Sequence, residues 1–198
     1  MRIVAGNFKG TTLYGPKNKK IRPLKDMVRE NIFNFLAHSN KITPSLEQSD
    51  VLDLYSGTGS FGLECVSRQA KNVIFIEKEN EALNILKKNI EKLKVNKKTK
   101  IFSNDVFQII KKNDKFFYNL SSTKKFDFIF CDPPFKDTNI SNLIELIIKK
   151  NLLKSNGIFI IHRHKNANDK LSTFLEIIDK RIYGISKIIF GKLLSTLP

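Results

Sequence analysis

Cysteine is scarce in this chain. Cys65 and Cys131 are the only two in 198 residues, and their spacing fits neither a zinc site nor a disulfide framework. Each stands in an apolar setting, which predicts inert core thiols. Acidic residues are also few: 19 Asp and Glu stand against 35 Lys and Arg, a formal net charge of +16. That balance points away from a cationic partner and toward a polyanion. AT-rich coding, visible in the abundance of Lys, Asn and Ile, would inflate the charge as well. No apolar run is long enough to span a bilayer. Met1-Arg2-Ile3-Val4 leads straight into Gly6 and Lys9 with no signal-peptide pattern. The expectation is a cytoplasmic, membrane-free monomer with one large domain, since 41% of the residues are hydrophobic. No internal repeat is visible.

The positive charge gathers at one end. Residues 1–30 hold Arg2, Lys9, Lys17, Lys19, Lys20, Arg22, Lys25 and Arg29 against Asp26 and Glu30. The pattern reads as a basic arm for phosphates, with a solvated helix surface as the rival reading of Arg29 beside Asp26 and Glu30. Gly6, Gly10 and Gly15 mark turns in a short strand or hairpin over residues 1–15. Leu24, Val28, Ile32 and Phe35 predict a helix after Pro23. Residues 38–49 read as a loop, so 1–40 form an extension and 41–198 the main domain.

From residue 51 onward strands and helices alternate. Strands are expected at 51–54, 73–76, 101–102, 126–131 and 158–161. Helices are expected around 63–67, 82–95, 106–111, 140–149 and 168–175. Two β-rich runs, 177–183 and 187–190, flank Gly184. Repeated βα units predict an α/β fold with a mostly parallel sheet covered on both faces, ending in an antiparallel hairpin at one edge.

Asp132-Pro133-Pro134-Phe135 closes the apolar strand 126–131. Prolines stiffen the turn, lack N–H groups and hold the preceding residue extended. A carboxylate, rigid carbonyls and an aromatic plate suit a planar ring bearing an amine; a loop merely stiffened by prolines fits equally well. Gly57-Thr58-Gly59-Ser60-Phe61-Gly62 matches G-x-G-x-x-G between a strand and a helix, and Glu77 follows about 20 residues on, where a ribose-binding carboxylate belongs. NAD is the first ligand such a turn suggests. Asp53, just ahead of the glycines, would repel a pyrophosphate but accept hydrogen bonds from an ammonium group. S-adenosyl-L-methionine has that ammonium, a carboxylate for the helix start, a ribose for Glu77 and an adenine amine for Asp105. Asp105 also reads as a helix N-cap.

Asp53-Leu54-Tyr55-Ser56-Gly57-Thr58-Gly59, Glu77, Asp105 and Asp132-Pro133-Pro134-Phe135 together resemble the ordered motifs of Rossmann-like class I methyltransferases, whose sheet has seven strands. The last motif resembles the subgroup acting on exocyclic base amines. Met1-Arg2-Ile3-Val4-Ala5-Gly6, Lys9-Gly10, Arg22-Pro23 and Asp26-Met27-Val28-Arg29-Glu30 resemble the RsmD family nearly end to end. That resemblance implies a cytoplasmic enzyme that methylates N2 of one guanine in 16S ribosomal RNA, in the assembled or assembling small subunit, without a metal. It implies cofactor roles for Asp53, Tyr55, Ser56, Gly57, Thr58, Gly59, Glu77 and Asp105, and catalytic roles for Asp132, Pro133 and Phe135. Arg2, Lys9, Arg22 and Arg29 would grip RNA. Leu24 stands where the family usually has threonine. His162 and His164 are expected at an RNA-facing or solvated surface, without a catalytic role. Rival readings remain: an amino-methyltransferase for DNA or another RNA, an NAD-dependent oxidoreductase, and a non-catalytic RNA-binding factor.

Overall fold

The computed structural model of the chain describes residues 1–16, 24–112, 125–171 and 175–194. Arg22, Pro23 and lysines 17, 19 and 20 lie outside the described residues. The strands are β1 (Asp50–Leu54), β2 (Asn72–Glu77), β3 (Thr99–Ser103), β4 (Phe126–Cys131), β5 (Leu153–His164), β6 (Leu175–Tyr183) and β7 (Ser186–Leu193). They form one sheet in the order β3-β2-β1-β4-β5-β7-β6. β1 to β5 run parallel, and β7 is antiparallel to both neighbours. The helices are α1 (Asp26–His38), α2 (Ser60–Ser67), α3 (Asn80–Leu93), α4 (Val106–Lys111) and α5 (Ile140–Lys149). The expected α/β class, the parallel core and the C-terminal hairpin are all present.

Strand periodicity divides the core in two. Val51, Phe75, Phe128, Phe130, Ile158 and Ile160 share one buried cluster with residues of α1, α2 and α3. The alternate residues, among them Leu52, Ile76, Ile129 and Phe159, pack with α4 and α5 on the other face. Strands buried on both faces need near-continuous apolar runs, and β1, β2 and β4 supply them. Strand order reverses at β1, which has β2 on one side and β4 on the other. Helices must leave in opposite directions there, so a cleft opens at the strands' carboxyl ends.

Two expectations on the C-terminal third need correction. The described part of the helix expected over Asn168 to Leu175 is not helical: residues 168–171 carry no helix, Leu175 opens β6, and 172–174 lie outside the described residues. Asp169 is drawn to Arg163 at 2.8 Å, and Leu175 covers the bare backbone of Gly191 in β7. The strand expected at 158–161 runs on to His164 because β7 pairs with residues 159–164.

The N-terminal segment is fastened to α2. Its antiparallel bridge, Arg2 to Thr12, makes the expected hairpin. Buried Glu64 accepts the N–H groups of Val4 (2.8 Å) and Ala5 (2.9 Å), and Ser67 Oγ accepts that of Phe8 (3.0 Å). Gly6 permits this approach: its φ is +81°, and a Cβ there would lie 2.0 Å from the Ser67 carbonyl oxygen. Arg29 shows no exposed surface; it pairs with Asp26 at 3.0 Å, lies 3.9 Å from Glu64 and donates to the Arg2 carbonyl. The RNA-gripping role expected of Arg29 is therefore overturned. A guanidinium buried against a buried carboxylate is an internal tie, unavailable to phosphates.

Candidate active site

A cleft of about 560 Å³ lies at the switch point. Asp53, Tyr55, Ser56, Gly57, Thr58, Glu77, Asp105, Asp132, Pro133 and Phe135 all line it, so both motif sets meet in one place. Gly59 stands behind the lining as the N-cap of α2, with φ +84°; a Cβ there would strike Leu86 Cδ1 at 2.3 Å. Gly57, by contrast, has nothing within 4 Å of its missing Cβ, and its open side faces the cleft.

On the β1–β2 side, backbone donors hold the carboxylates. Tyr55 turns the chain sharply out of β1 with φ +56°, a costly conformation for a bulky residue, and Ser56 N–H then reaches the Ile76 carbonyl at 3.1 Å. Glu77 Oε2 accepts the Gly57 N–H at 2.7 Å, while Oε1 accepts those of Lys78 and Glu79 at 2.8 and 2.9 Å. Three of its four lone-pair sites are used, which leaves Oε2 one site for a hydroxyl in the cleft. Asp53 Oδ2 accepts the Gly62 N–H at 2.9 Å, and its Oδ1 is buried without a partner. Burial raises the Asp53 pKa well above the ordinary carboxylate value, the Gly62 N–H opposes that, and the charges of Asp132 and Glu77 add to it. Asp105 caps α4 through the Phe107 N–H at 3.0 Å and meets Lys78 at 3.5 Å, so its N-cap reading holds while it lines the cleft. An unpartnered buried carboxylate oxygen, the unpaired Ser56 hydroxyl and an open glycine face fit a ligand with an ammonium and hydroxyl groups.

On the β4–β5–β7 side, side chains do the holding. Asp132 follows β4, and its Oδ1 lies 2.8 Å from His162 Nδ1, whose Nε2 lies 2.9 Å from Ser186 Oγ on β7. His162 is buried, which corrects its expected surface placement. Phe135 stands edge-on to the rings of His162 and His164, each at 5.4 Å. Arg163 is also buried. It forks onto Asp169 (2.8 and 2.9 Å) and donates to the carbonyls of Pro134 (3.2 Å) and Asp137 (2.5 Å), bracing the proline turn. The Pro134 carbonyl, which also accepts the Asp137 N–H at 2.8 Å, is thus occupied rather than free. The phenol of Tyr55 is pushed upward by burial first, then by neighbours that include Asp137 and Asp105. Sequence reasoning missed His162, Arg163 and Ser186. Leu24 lines the cleft's rim and is buried, so the substituted position packs rather than hydrogen-bonds.

The family described as Conserved hypothetical protein 95 matches residues 1–192. The chain belongs to this family. Its members include the RsmD proteins: "Ribosomal RNA small subunit methyltransferase D" of Haemophilus influenzae is 34% identical over 167 residues, 84% of this chain and 80% of that protein. A crystal structure from the same organism, described as a methylase, is 29% identical with a TM-score of 0.75 and 98% of each chain covered. A more distant methyltransferase, solved with S-adenosylhomocysteine, shares the fold at 16% identity and a TM-score of 0.61, covering 84% of this chain and 48% of that one. The RsmD-family chain is a methyltransferase with the class I fold. Among its described residues no helix is long and apolar enough to cross a membrane, and no group of three or more His, Cys, Asp or Glu side chains could hold a metal ion. Both cysteines are buried, and burial raises their thiol pKa values, as expected of inert core residues.

Proposed function

We propose that this methyltransferase modifies the exocyclic N2 amine of a guanine in small-subunit ribosomal RNA. The observation that carries the reading is Asp132: a carboxylate on a braced proline turn, facing the same cleft as the glycine turn. The name of the Haemophilus relative supports the ribosomal substrate. Bound in the cleft, S-adenosyl-L-methionine supplies an electrophilic methyl group on a sulfonium. Asp53 and Ser56 would hold its ammonium end, Gly57, Thr58 and the start of α2 its carboxylate, Glu77 the ribose and Asp105 the adenine amine, with Tyr55 closing the wall. Asp132 and the Pro133 carbonyl would hold the two hydrogens of the amine and direct its lone pair, and Asp132 would accept the departing proton. Phe135 would stack on the base, which must leave its helix to reach the pocket. Residues 1–40 act as the RNA-facing extension through exposed Arg2 and Lys9, with Arg22 as a further phosphate contact. The setting is the cytoplasm, where ribosomal subunits assemble.

The test offers labelled S-adenosyl-L-methionine with unmodified small subunits, naked rRNA or DNA, and maps the labelled nucleotide. Label on N2 of one guanine in the subunit or its RNA is the expected result. Label only on DNA, or on another base atom, overturns the reading.

A further inference from the structure

We infer that His162, fixed by Ser186, is a positioning residue that aims the Asp132 carboxylate at the amine. The inference rests on the methyl-transfer reading above and adds residues that no sequence motif contains. Three observations carry it. His162 Nδ1 lies 2.8 Å from Asp132 Oδ1, so a donated N–H occupies one carboxylate oxygen and leaves the other to the cleft. His162 Nε2 lies 2.9 Å from Ser186 Oγ; a hydroxyl donating to Nε2 fixes the proton on Nδ1, the tautomer that serves Asp132. The Phe135 ring stands edge-on to the imidazole, so base, carboxylate and histidine share one wall.

The proton balance is simple. The nitrogen lone pair forms a bond to the methyl carbon as the carbon–sulfur bond breaks and the sulfonium leaves as a neutral thioether; the nitrogen loses one N–H proton, which passes to the free oxygen of Asp132 and then to water. The charged groups around the ring are few. Asp132 approaches from the end of β4, and Asp53 lies behind it in β1, on the same sheet face. His164 meets it only across Phe135. Arg163 and Lys187, paired in register, point to the opposite face, where Arg163 binds Asp169 and Lys187 donates to the Ala167 carbonyl.

The experiment compares kcat and KM for wild type, His162→Ala and His162→Asn. Asn places an amide N–H near the Nδ1 position. His162→Ala should lower kcat about tenfold with RNA KM unchanged. His162→Asn should restore most of kcat. Wild-type kcat in His162→Ala, or no recovery in His162→Asn, would overturn the inference. A second readout needs no turnover: the imidazole N–H signals of the three histidines in the NMR spectrum of the free protein, with His162 assigned by its loss in His162→Asn. Its Nδ1–H signal should move in Asp132→Asn, and an unmoved signal would overturn the contact. If the wild type transfers no methyl group to any base, the methyl-transfer reading fails, and the free protein's spectrum still decides whether the pair is in contact.

Discussion

The β1–β2 side of the cleft is held by backbone N–H groups, whereas the β4–β5–β7 side is held by side chains reaching between strands. Glu77 draws three main-chain donors and Asp53 one, all from the glycine turn, α2 or the residues just after β2. Asp132, His162 and Ser186 instead satisfy one another, and Arg163 binds Asp169 and the proline turn. Main-chain donors survive most substitutions, so the first side suits a ligand that never changes. Side-chain partners can be exchanged singly, so the second side suits an acceptor that differs between enzymes.

If the two sides are separable, changes on each should show separate readouts. Asp132→Ala carries the largest expected effect, a loss of about 10³-fold in methyl transfer measured by single-turnover label incorporation. Next comes Arg163→Ala, which strands the Asp169 carboxylate and releases the Pro134 carbonyl; chemical denaturation should show a cost of about 3 kcal/mol. Glu77→Ala should weaken cofactor binding by about 2 kcal/mol, roughly 30-fold by calorimetry. Unchanged affinity would remove its ribose role and blur the comparison.

Asp53→Asn sharpens it through signs. Burial holds the Asp53 carboxyl above its ordinary pKa, so folding favours the protonated form. Stability of the ligand-free protein should then fall as pH climbs from the unfolded carboxylate's range through the folded value. Asp53→Asn removes that slope and should raise the melting temperature at neutral pH while lowering cofactor affinity. The smallest effects belong to the exposed arm. Arg2→Ala and Lys9→Ala should each reduce the slope of log affinity for RNA against log salt by about 1, with cofactor affinity unmoved.

How much was legible in the sequence follows the same division. Asp53, the glycines and Glu77 lie within 25 residues of one another, and two strands, one turn and one helix suffice to bring them together. Asp132 was legible because prolines announce a rigid turn after a strand. His162 lies 30 positions from Asp132 and 24 from Ser186, and its partners depend on a parallel register with β4 and an antiparallel one with β7 that no local pattern encodes. A signal was present nonetheless: His162 falls two residues after Ile160, in phase with Phe130 and Asp132, so strand parity aims it at the same wall. Arg29 was misread for a related reason. Charge counting treats every basic residue as surface, yet Arg29 precedes buried Phe33 by one helical turn and faces inward with it. At the end of the helix expected at 168–175, Leu175 pairs with Leu193 in the sheet instead.

Calorimetric titration of S-adenosyl-L-methionine into wild-type and Asp132→Ala protein, side by side, tests the division of the cleft most directly. Affinities agreeing within about twofold, while transfer is lost, are the expected result. An affinity that falls as far as the transfer rate would show that Asp132 serves the cofactor, and would contradict the separation of the two sides.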